Sequence, residues 1–282
     1  MVSKMSQSEK AELFREMHRQ PPIIRLCTIW DAASARIVEM AGAKAIATGS
    51  AGMDAALGYP DGELAPLDEV LWAVKRIVDR VDIPVTADIV AGYGKTPGEV
   101  AETARKLLAT GAIGCNFEDS TGEGGGKLFT LDEQVARIKA VRKVADGAGI
   151  PFVLNARTDA FFSSQIPEDQ RLDEAIRRAN AYREAGSDCS LVLGARTPET
   201  IQRILNEVDG PLNVLASPAS PTVPELEAMG VARVSVGGGP MFATLGLTRR
   251  IAGELFSDGT YDLIRDFALP RADIMSMYAE HD

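Results

Sequence analysis

The sequence predicts a (β/α)8 barrel, because a helical pattern repeatedly ends in a small-residue turn that leads into a short apolar run. Glycine just past a helix end takes the left-handed conformation at low cost, and the run after it is too short for a helix. Eight such runs alternate with amphipathic stretches, which is the pattern of a parallel barrel. The glycine joints are "EMAGAKAIATGS", "LATGAIGCNFEDS", "REAGSDCSLVLGA" and "EAMGVARVSVGGG".

The remaining apolar runs complete the strand set in chain order: "IIRLCTI", "IPVTADI", "IPFVLNA" and "PLNVLAS". The alternative fold, an open doubly wound sheet, needs a glycine fingerprint after its first strand, where this chain has "TIWDAASAR". The eight predicted strands lie near residues 23, 44, 83, 112, 150, 189, 211 and 232. Clear helical patterns lie between them at residues 67–81, 97–111, 131–149 and 173–186.

The chain is expected to form one barrel domain over residues 1–282, because no Ser/Pro/Gly-rich linker divides it. Residues 1–22 are predicted to form an N-terminal helix, and residues 240–282 to form C-terminal helices. The apolar positions of the last stretch suit docking on a partner subunit, and they equally suit a helix that folds back on its own barrel.

Composition limits the partners and the chemistry. The 30 basic and 40 acidic residues give a formal net charge of −10, which disfavours nucleic acid and anionic membranes. No segment has the roughly 20 apolar residues of a membrane helix, and the start lacks a signal-peptide core, so we expect a cytoplasmic protein. Both histidines, His18 and His281, lie near the ends, which disfavours a histidine base within the barrel. The separated Cys27, Cys115 and Cys189 are expected to pack in the core.

Catalytic groups of such barrels sit at the carboxyl ends of the strands. Asp88 and Glu118 end neighbouring predicted strands, and their mutual repulsion favours a hard, oxygen-ligated cation, most simply Mg²⁺. Arg157, one strand further, is suited to hold a substrate carboxylate. Structural alternatives stay open: Asp88 as a helix cap or ion-pair member, Glu118 as the start of a polar loop, and Arg157 paired with Asp159 or Glu118.

The ordered motifs "WDAASARI", "TGSAGMDAALGYPDG", "VTADIVAGYG", "GCNFEDS" and "NARTDAF" resemble the phosphoenolpyruvate mutase/isocitrate lyase superfamily over residues 28–240. The resemblance implies a barrel whose last helix is exchanged between paired subunits, in a homodimer or homotetramer. It also implies chemistry on a small 2-oxo or 2-hydroxy acid through a pyruvate-like enolate, stabilised by Mg²⁺ and backbone amides.

The resemblance also assigns residues. It implies that Asp61 lies near the reaction centre, that Asp88 and Glu118 belong to the metal site, and that Arg157 binds a carboxylate. Asp61, Tyr59 and Tyr93 are candidates for the base that a lyase needs. The expected substrate contacts are Trp30, Gly49, Ser50, Ala51, Arg157 and Asn213.

Three departures from the family pattern narrow the expected reaction. Val90 stands where relatives usually have a second acid, so Mg²⁺ affinity should fall unless a neighbour such as Asp61 or Asp119 substitutes. The glycine-rich loop at 122–127, expected to be mobile over the site, carries no Cys or His, which disfavours isocitrate and methylisocitrate cleavage. Ser120 stands where the mutase and its hydrolase relatives have a lysine, in a loop that covers a phosphonate, and this departure disfavours phosphoryl transfer. The expected reaction is therefore decarboxylation of an oxaloacetate-like acid or retro-aldol cleavage of a substituted malate. The alternatives are a non-catalytic carboxylate-binding protein and a phosphonopyruvate-type P–C bond enzyme.

Overall fold

The computed structural model describes residues 5–278 and contains a parallel β-sheet that closes into a barrel. Every neighbouring pair of strands in the sheet is parallel, and the spatial order is β1-β9-β8-β7-β6-β5-β4-β3-β2. The strands are β1 Ile24–Leu26, β2 Thr28–Ile29, β3 Ile46–Thr48, β4 Val85–Asp88, β5 Gly114–Glu118, β6 Val153–Thr158, β7 Cys189–Val192, β8 Leu212–Leu215 and β9 Arg233–Ser235.

The strands β1 and β2 are two segments of one barrel strand, interrupted at Cys27. The first segment pairs with β9, and the second pairs with β3, so the sheet closes on itself. Eight strand positions therefore surround the barrel axis, at the eight places predicted from the apolar runs. The predicted (β/α)8 fold is confirmed.

Helices follow the strands and cover the outside of the barrel. Several begin with a capping box, as at Thr96 and Thr130. The Thr hydroxyl accepts the N–H of a Glu three residues later, and the carboxylate of that Glu accepts the N–H of the Thr. The helices are α1 Gln7–Met17, α2 Ala32–Met40, α3 Ser50–Leu57, α4 Leu67–Arg80, α5 Pro97–Ala109, α6 Leu131–Gly147, α7 Arg171–Glu184, α8 Pro198–Glu207, α9 Val223–Met229, α10 Gly239–Ser257, α11 Asp262–Phe267 and α12 Arg271–Ser276.

The four glycine joints identified in the sequence have the expected left-handed backbone. Gly42, Gly111, Gly186 and Gly230 have φ values of 96, 92, 109 and 96°. Each turn ends a helix and directs the chain into the next buried strand, which is why the helix and strand patterns alternate so regularly.

The C-terminal helices α10 to α12 bury few of their side chains. Met241 is buried in α10, whereas Phe256 is 84% exposed. The exchange of these helices between subunits stays a prediction, and their apolar face is exposed in the single chain. Within residues 5–278, no helix combines the length and apolar character needed to cross a membrane. His281 lies outside the described residues.

Candidate active site

The carboxyl ends of β4, β5 and β6 bring three charged side chains together. In the sheet register, Asp88 lies beside Asn116, and Glu118 lies beside Arg157. The guanidinium of Arg157 donates from Nη1 to Oε2 of Glu118 at 2.8 Å. The ends of neighbouring parallel strands meet at one rim, so the rim predicted from the sequence exists as a charged cluster.

Arg157 is paired with two carboxylates. Besides Glu118, it donates from Nε and Nη2 to the two oxygens of Asp159 at 2.6 and 2.7 Å. Burial by itself lowers the pKa of Arg157, but Glu118 and Asp159 raise it above its ordinary value, so the side chain stays charged. A guanidinium has five N–H donors, and these three bonds leave two for a ligand. Both the ion-pair interpretation and the carboxylate-binding interpretation are therefore compatible with this geometry.

The two site carboxylates have raised proton affinity. Burial raises the pKa of Glu118 well above its ordinary value, Arg157 lowers it, and Asp159 and Asp88 raise it further. Burial likewise raises the pKa of Asp88, against the opposing effect of Arg157. Two buried acids with one nearby guanidinium bind a proton or a cation more readily than solvated acids do.

Backbone amides fix the orientation of Asp88. Its Oδ2 accepts from the N–H of Ser50 at 3.3 Å, and its Oδ1 accepts from the N–H of Val90 at 3.0 Å. The amide of Asp88 itself donates to the hydroxyl of Thr48 at 2.9 Å. Ser50 is the first residue of α3, so the positive end of that helix faces the site.

The turn after Asp88 has an uncommon backbone. Val90 and Tyr93 have φ values of 51 and 52°, which is rare for residues other than glycine and most unusual for a β-branched one. Two side chains hold this turn: Glu63 accepts the N–H of Tyr93 at 2.7 Å, and the buried Arg137 donates to the carbonyl oxygens of Ala91 and Gly94. The surrounding structure therefore enforces the turn.

The predicted contacts at the first two strand ends lie together. Gly49 precedes α3, and a Cβ on it would lie 3.6 Å from Thr28 and 3.7 Å from the carbonyl oxygen of Gly237. Ala51 lies against Gly238, and Trp30 packs its Cβ against Gly52. A Cβ at Gly49 would thus make ordinary contacts, whereas a Cβ at Gly52 would lie 3.3 Å from the Cβ of Trp30, which is unusually close.

Three other predicted residues have different surroundings. Asp61 is exposed, and its charge adds to the effect of burial in raising the pKa of Asp88. The hydroxyl of Tyr59 donates to Oε1 of Glu69 at 3.3 Å, at the surface. Asn213 is buried inside the barrel, where its amide donates to the hydroxyl of Ser235 at 3.3 Å.

Asp119 is a structural residue, although it follows Glu118 directly. Its Oδ2 accepts from Thr158, Arg178 and Tyr182 at 2.8, 3.1 and 2.7 Å. Its Oδ1 accepts the N–H of Asp159 at 2.9 Å. With both oxygens engaged, Asp119 holds β6 and α7 in place and is poorly suited to replace a missing metal ligand.

The glycine-rich loop forms a hairpin that is attached to the segment after β6. Ser120 and Leu128 form an antiparallel bridge at its base. At its tip, the carbonyl oxygen of Gly125 accepts from the N–H and hydroxyl of Ser164 at 3.1 and 2.5 Å. The backbone of Gly126 lies so close to Phe162 that a Cβ there would collide with its carbonyl group.

A buried acid near the rim, Asp54, was not predicted from the sequence. Asp54 lies in α3, is 1% exposed, and has an Oδ2 without a hydrogen-bond partner among the described residues. Burial, with the charges of Asp61 and Asp88, raises its pKa to about 6, and the N–H of Gly62 opposes the shift. The pattern that could have revealed it is a single acid within the apolar run "AGMDAALG".

The donor set suits a water-rich Mg²⁺ ion. No three His, Cys, Asp or Glu side chains within residues 5–278 are grouped so that they could hold one ion directly. Mg²⁺, however, is usually bound through one or two carboxylates and keeps several waters. Asp88 and Glu118 supply two carboxylates whose pKa values are raised chiefly by burial, and a cation beside them would offset that effect.

A cavity of about 980 Å³ lies at the opposite end of the barrel, beside the amino ends of the strands. Its lining is mostly apolar and contains one acid, Glu16, with Arg25 and Lys44. Barrel enzymes place their chemistry at the carboxyl ends, and the acid cluster lies there too. The cluster is therefore the stronger candidate for the active site.

Comparison with known proteins agrees with the barrel fold. Residues 14–256 match the family model described as phosphoenolpyruvate phosphomutase. A 2-methylisocitrate lyase of Halalkalibacterium halodurans is 30% identical over 213 residues, which cover 73% of this chain and 67% of the relative. A crystal structure from Burkholderia cenocepacia J2315, provisionally assigned as a lyase/mutase, is 36% identical with a TM-score of 0.90 and covers 98% of both chains.

A third similar protein is oxaloacetate acetylhydrolase, solved with the product oxalate. It is 26% identical with a TM-score of 0.86, covering 96% of this chain and 94% of its own. The relatives thus include enzymes that cleave C–C bonds. The chain belongs to the phosphoenolpyruvate phosphomutase family, within the phosphoenolpyruvate mutase/isocitrate lyase superfamily.

Proposed function

We propose that this protein is a Mg²⁺-dependent carbon–carbon lyase that acts on a small 2-oxo or 2-hydroxy (di)carboxylic acid through a pyruvate-like enolate. The observation that carries the proposal is the cluster of Asp88, Glu118 and Arg157 at adjacent strand ends. A single guanidinium among several carboxylates suits an anionic substrate that arrives together with a divalent cation.

Arg157 is proposed to bind the substrate carboxylate with its two remaining N–H donors. Asp159 and Glu118 hold the guanidinium plane fixed, so little conformational freedom is lost on binding. Gly49, Ser50 and Ala51, at the positive end of α3, are proposed to face the developing oxyanion, with Trp30 and Asn213 as further substrate contacts.

C–C cleavage leaves its electron pair on the substrate as an enolate. A Mg²⁺ ion held by Asp88 and Glu118 would act as a Lewis acid toward the enolate oxygen. Decarboxylation requires no base for its first step, whereas retro-aldol cleavage requires removal of the hydroxyl proton. Asp61 is proposed for that proton because it is exposed and its charge acts on Asp88, while Tyr59 is directed toward Glu69.

The test is a panel of 2-oxo acids and 2-hydroxy diacids with Mg²⁺, followed by NMR detection of pyruvate, CO₂ or succinate-like products. Arg157→Ala should reduce turnover of the best substrate by at least about 100-fold, since it removes the carboxylate anchor and unpairs two buried acids. Arg105→Ala, on the surface of α5, is the matched control. Full activity of Arg157→Ala would refute its assigned role.

Calorimetry, combined with the turnover panel, separates an enzyme from a protein that only binds carboxylates. Oxalate mimics the enolate, so it should bind in the presence of Mg²⁺ and much more weakly without it. Absence of Mg²⁺-dependent binding would contradict the enolate proposal. Tight oxalate binding without turnover of any panel member would instead favour the non-catalytic alternative.

A further inference from the structure

Asp54 has a buried carboxylate oxygen that makes no hydrogen bond within the described part of the chain. It projects from α3, a helix that opens toward the site at Ser50. Its side chain is almost fully buried, and Oδ2 has no hydrogen-bond donor among residues 5–278. A buried carboxylate oxygen without a donor or cation is costly, so this atom requires a partner that is not a side chain of the described fold.

Asp54 lies one turn of α3 beyond Ser50, whose N–H donates to Asp88, so the helix places Asp54 near the site. The charges of Asp61 and Asp88 both act on it, and burial, followed by the charge of Asp54, raises the pKa of the Tyr93 phenol. The N–H of Gly62 is the stabilising contact on the other side. Asp54, Asp61 and Asp88 therefore form a negative group contributed by α3, the loop after it and β4.

We propose that Asp54 is a third carboxylate of the cation site, and that its free Oδ2 accepts a hydrogen bond from a water molecule bound to the divalent cation. This inference rests on the proposed function, which places the cation at Asp88 and Glu118. The contact is through water because no three acids are grouped for direct binding of one ion. Waters on Mg²⁺ are strong donors, and a buried carboxylate is a strong acceptor for them.

The first experiment measures cation binding by calorimetry. Full-length wild type, Asp54→Asn and the surface control Asp79→Asn are titrated with Mg²⁺ at pH 7.5, with and without oxalate. Asp54→Asn keeps the side-chain shape and removes the charge, and it should weaken Mg²⁺ binding about tenfold. Asp79→Asn, which removes one charge from an exposed pair on α4, should bind like wild type.

The outcomes separate this inference from the proposed function. Equal Mg²⁺ affinity of wild type and Asp54→Asn would overturn the role of Asp54 and leave the site at Asp88 and Glu118 intact. Absence of Mg²⁺ binding to wild type would overturn both. Loss of binding in Asp54→Asn but not in Asp79→Asn would support the inference.

Thermal denaturation supplies a second measurement that also checks folding. Without cation, Asp54→Asn should melt a few degrees above wild type at pH 7.5, because a buried uncompensated charge is removed. Saturating Mg²⁺ should raise the Tm of wild type more than that of Asp54→Asn. A lower Tm of Asp54→Asn without cation, with an equal shift in Mg²⁺, would make Asp54 a structural residue and overturn the inference.

Discussion

At the scale of single residues, Val90 combines a buried position with a backbone conformation that β-branched side chains rarely adopt. Its N–H holds Asp88, and its carbonyl oxygen accepts the N–H of Glu118 at 2.9 Å. The backbone of Val90 thus links the two site carboxylates. Aspartate and asparagine tolerate the left-handed region better than valine does, so both can be accommodated at this backbone.

Val90→Asp should increase Mg²⁺ affinity several-fold by adding a carboxylate beside Asp88. Val90→Asn is the matched control, since it has the same size and backbone preference without the charge. Calorimetric titration of wild type and both variants measures the effect. Equal affinity of Val90→Asp and Val90→Asn would mean that position 90 does not face the cation or that another acid already fills that role.

His18 should make folding stability depend on pH. Burial, with the nearby Arg233, lowers its pKa from 6.5 to about 3, while Nδ1 donates to the carbonyl oxygen of Phe14 at 2.7 Å. As the pH falls below about 6.5, the unfolded chain takes up a proton that the folded chain does not, so stability decreases.

Between pH 7 and pH 5, this group should remove up to about 2 kcal/mol from the free energy of unfolding. His18→Gln, which keeps a hydrogen-bond donor, should lack that contribution. Urea denaturation of both proteins at the two pH values measures it. The same pH dependence in wild type and His18→Gln would show that His18 is protonated as easily in the folded chain as in the unfolded chain.

The candidate site was predictable from the sequence for those side chains whose position along a strand determines which other side chains they contact. Asp88, Glu118 and Arg157 end consecutive apolar runs, and parallel strands bring such ends together. Asp54 and Glu63 were not predictable in this way. Their places depend on how α3 and the following loop fold over the rim, which is set by long-range packing and not by local periodicity.

At the scale of elements, the turn after β4 depends on a buried guanidinium from α6. Arg137 donates to the carbonyl oxygens of Ala91 and Gly94, and it stacks on Phe129 with 3.7 Å between its Cζ and the ring centroid. Arg137→Met should destabilise the protein by about 2–4 kcal/mol, because two turn carbonyls lose their donor.

Chemical denaturation measures this effect, and hydrogen exchange of residues 89–95 shows whether the turn opens. Arg105→Met, at an exposed position of α5, should change stability by no more than about 0.5 kcal/mol. Equal stability of Arg137→Met and wild type would show that the turn holds its conformation without the guanidinium.

The elements were predictable because helices and strands alternate with clear glycine joints. The four longest predicted helical patterns agree with α4 to α7 within two residues at either end. The interruption of the first barrel strand at Cys27 was not predictable, since "IIRLCTI" is apolar on both sides of the break. That interruption reflects pairing with two different neighbours, β9 and β3.

At the scale of the whole molecule, the C-terminal helices present a large apolar surface to solvent. Surfaces of this kind usually mark contacts between chains. The surface comprises Phe242, Leu245, Leu255, Phe256, Tyr261, Ile264, Phe267, Leu269, Ile274 and Met275. The homodimer or homotetramer expected from the family resemblance would cover it by exchanging these helices.

Light scattering coupled to size-exclusion chromatography should give a mass of two or four 30.1 kDa chains. Phe256→Asp should shift the protein toward smaller species, because it places a charge in the buried contact. Lys143→Asp, on α6, is the control and should keep the assembly. A monomeric wild type would contradict the prediction.

The attachment of the glycine-rich hairpin to the segment after β6 couples two loops that the chain separates by about 40 residues. The hairpin cannot lift without breaking both bonds between Ser164 and Gly125 or carrying Ser164 along. The attached segment starts at Asp159, which clamps Arg157. A displacement of the hairpin that carries Ser164 along would therefore also pull on the segment that begins at Asp159, and through Asp159 on the guanidinium that is proposed to bind the substrate.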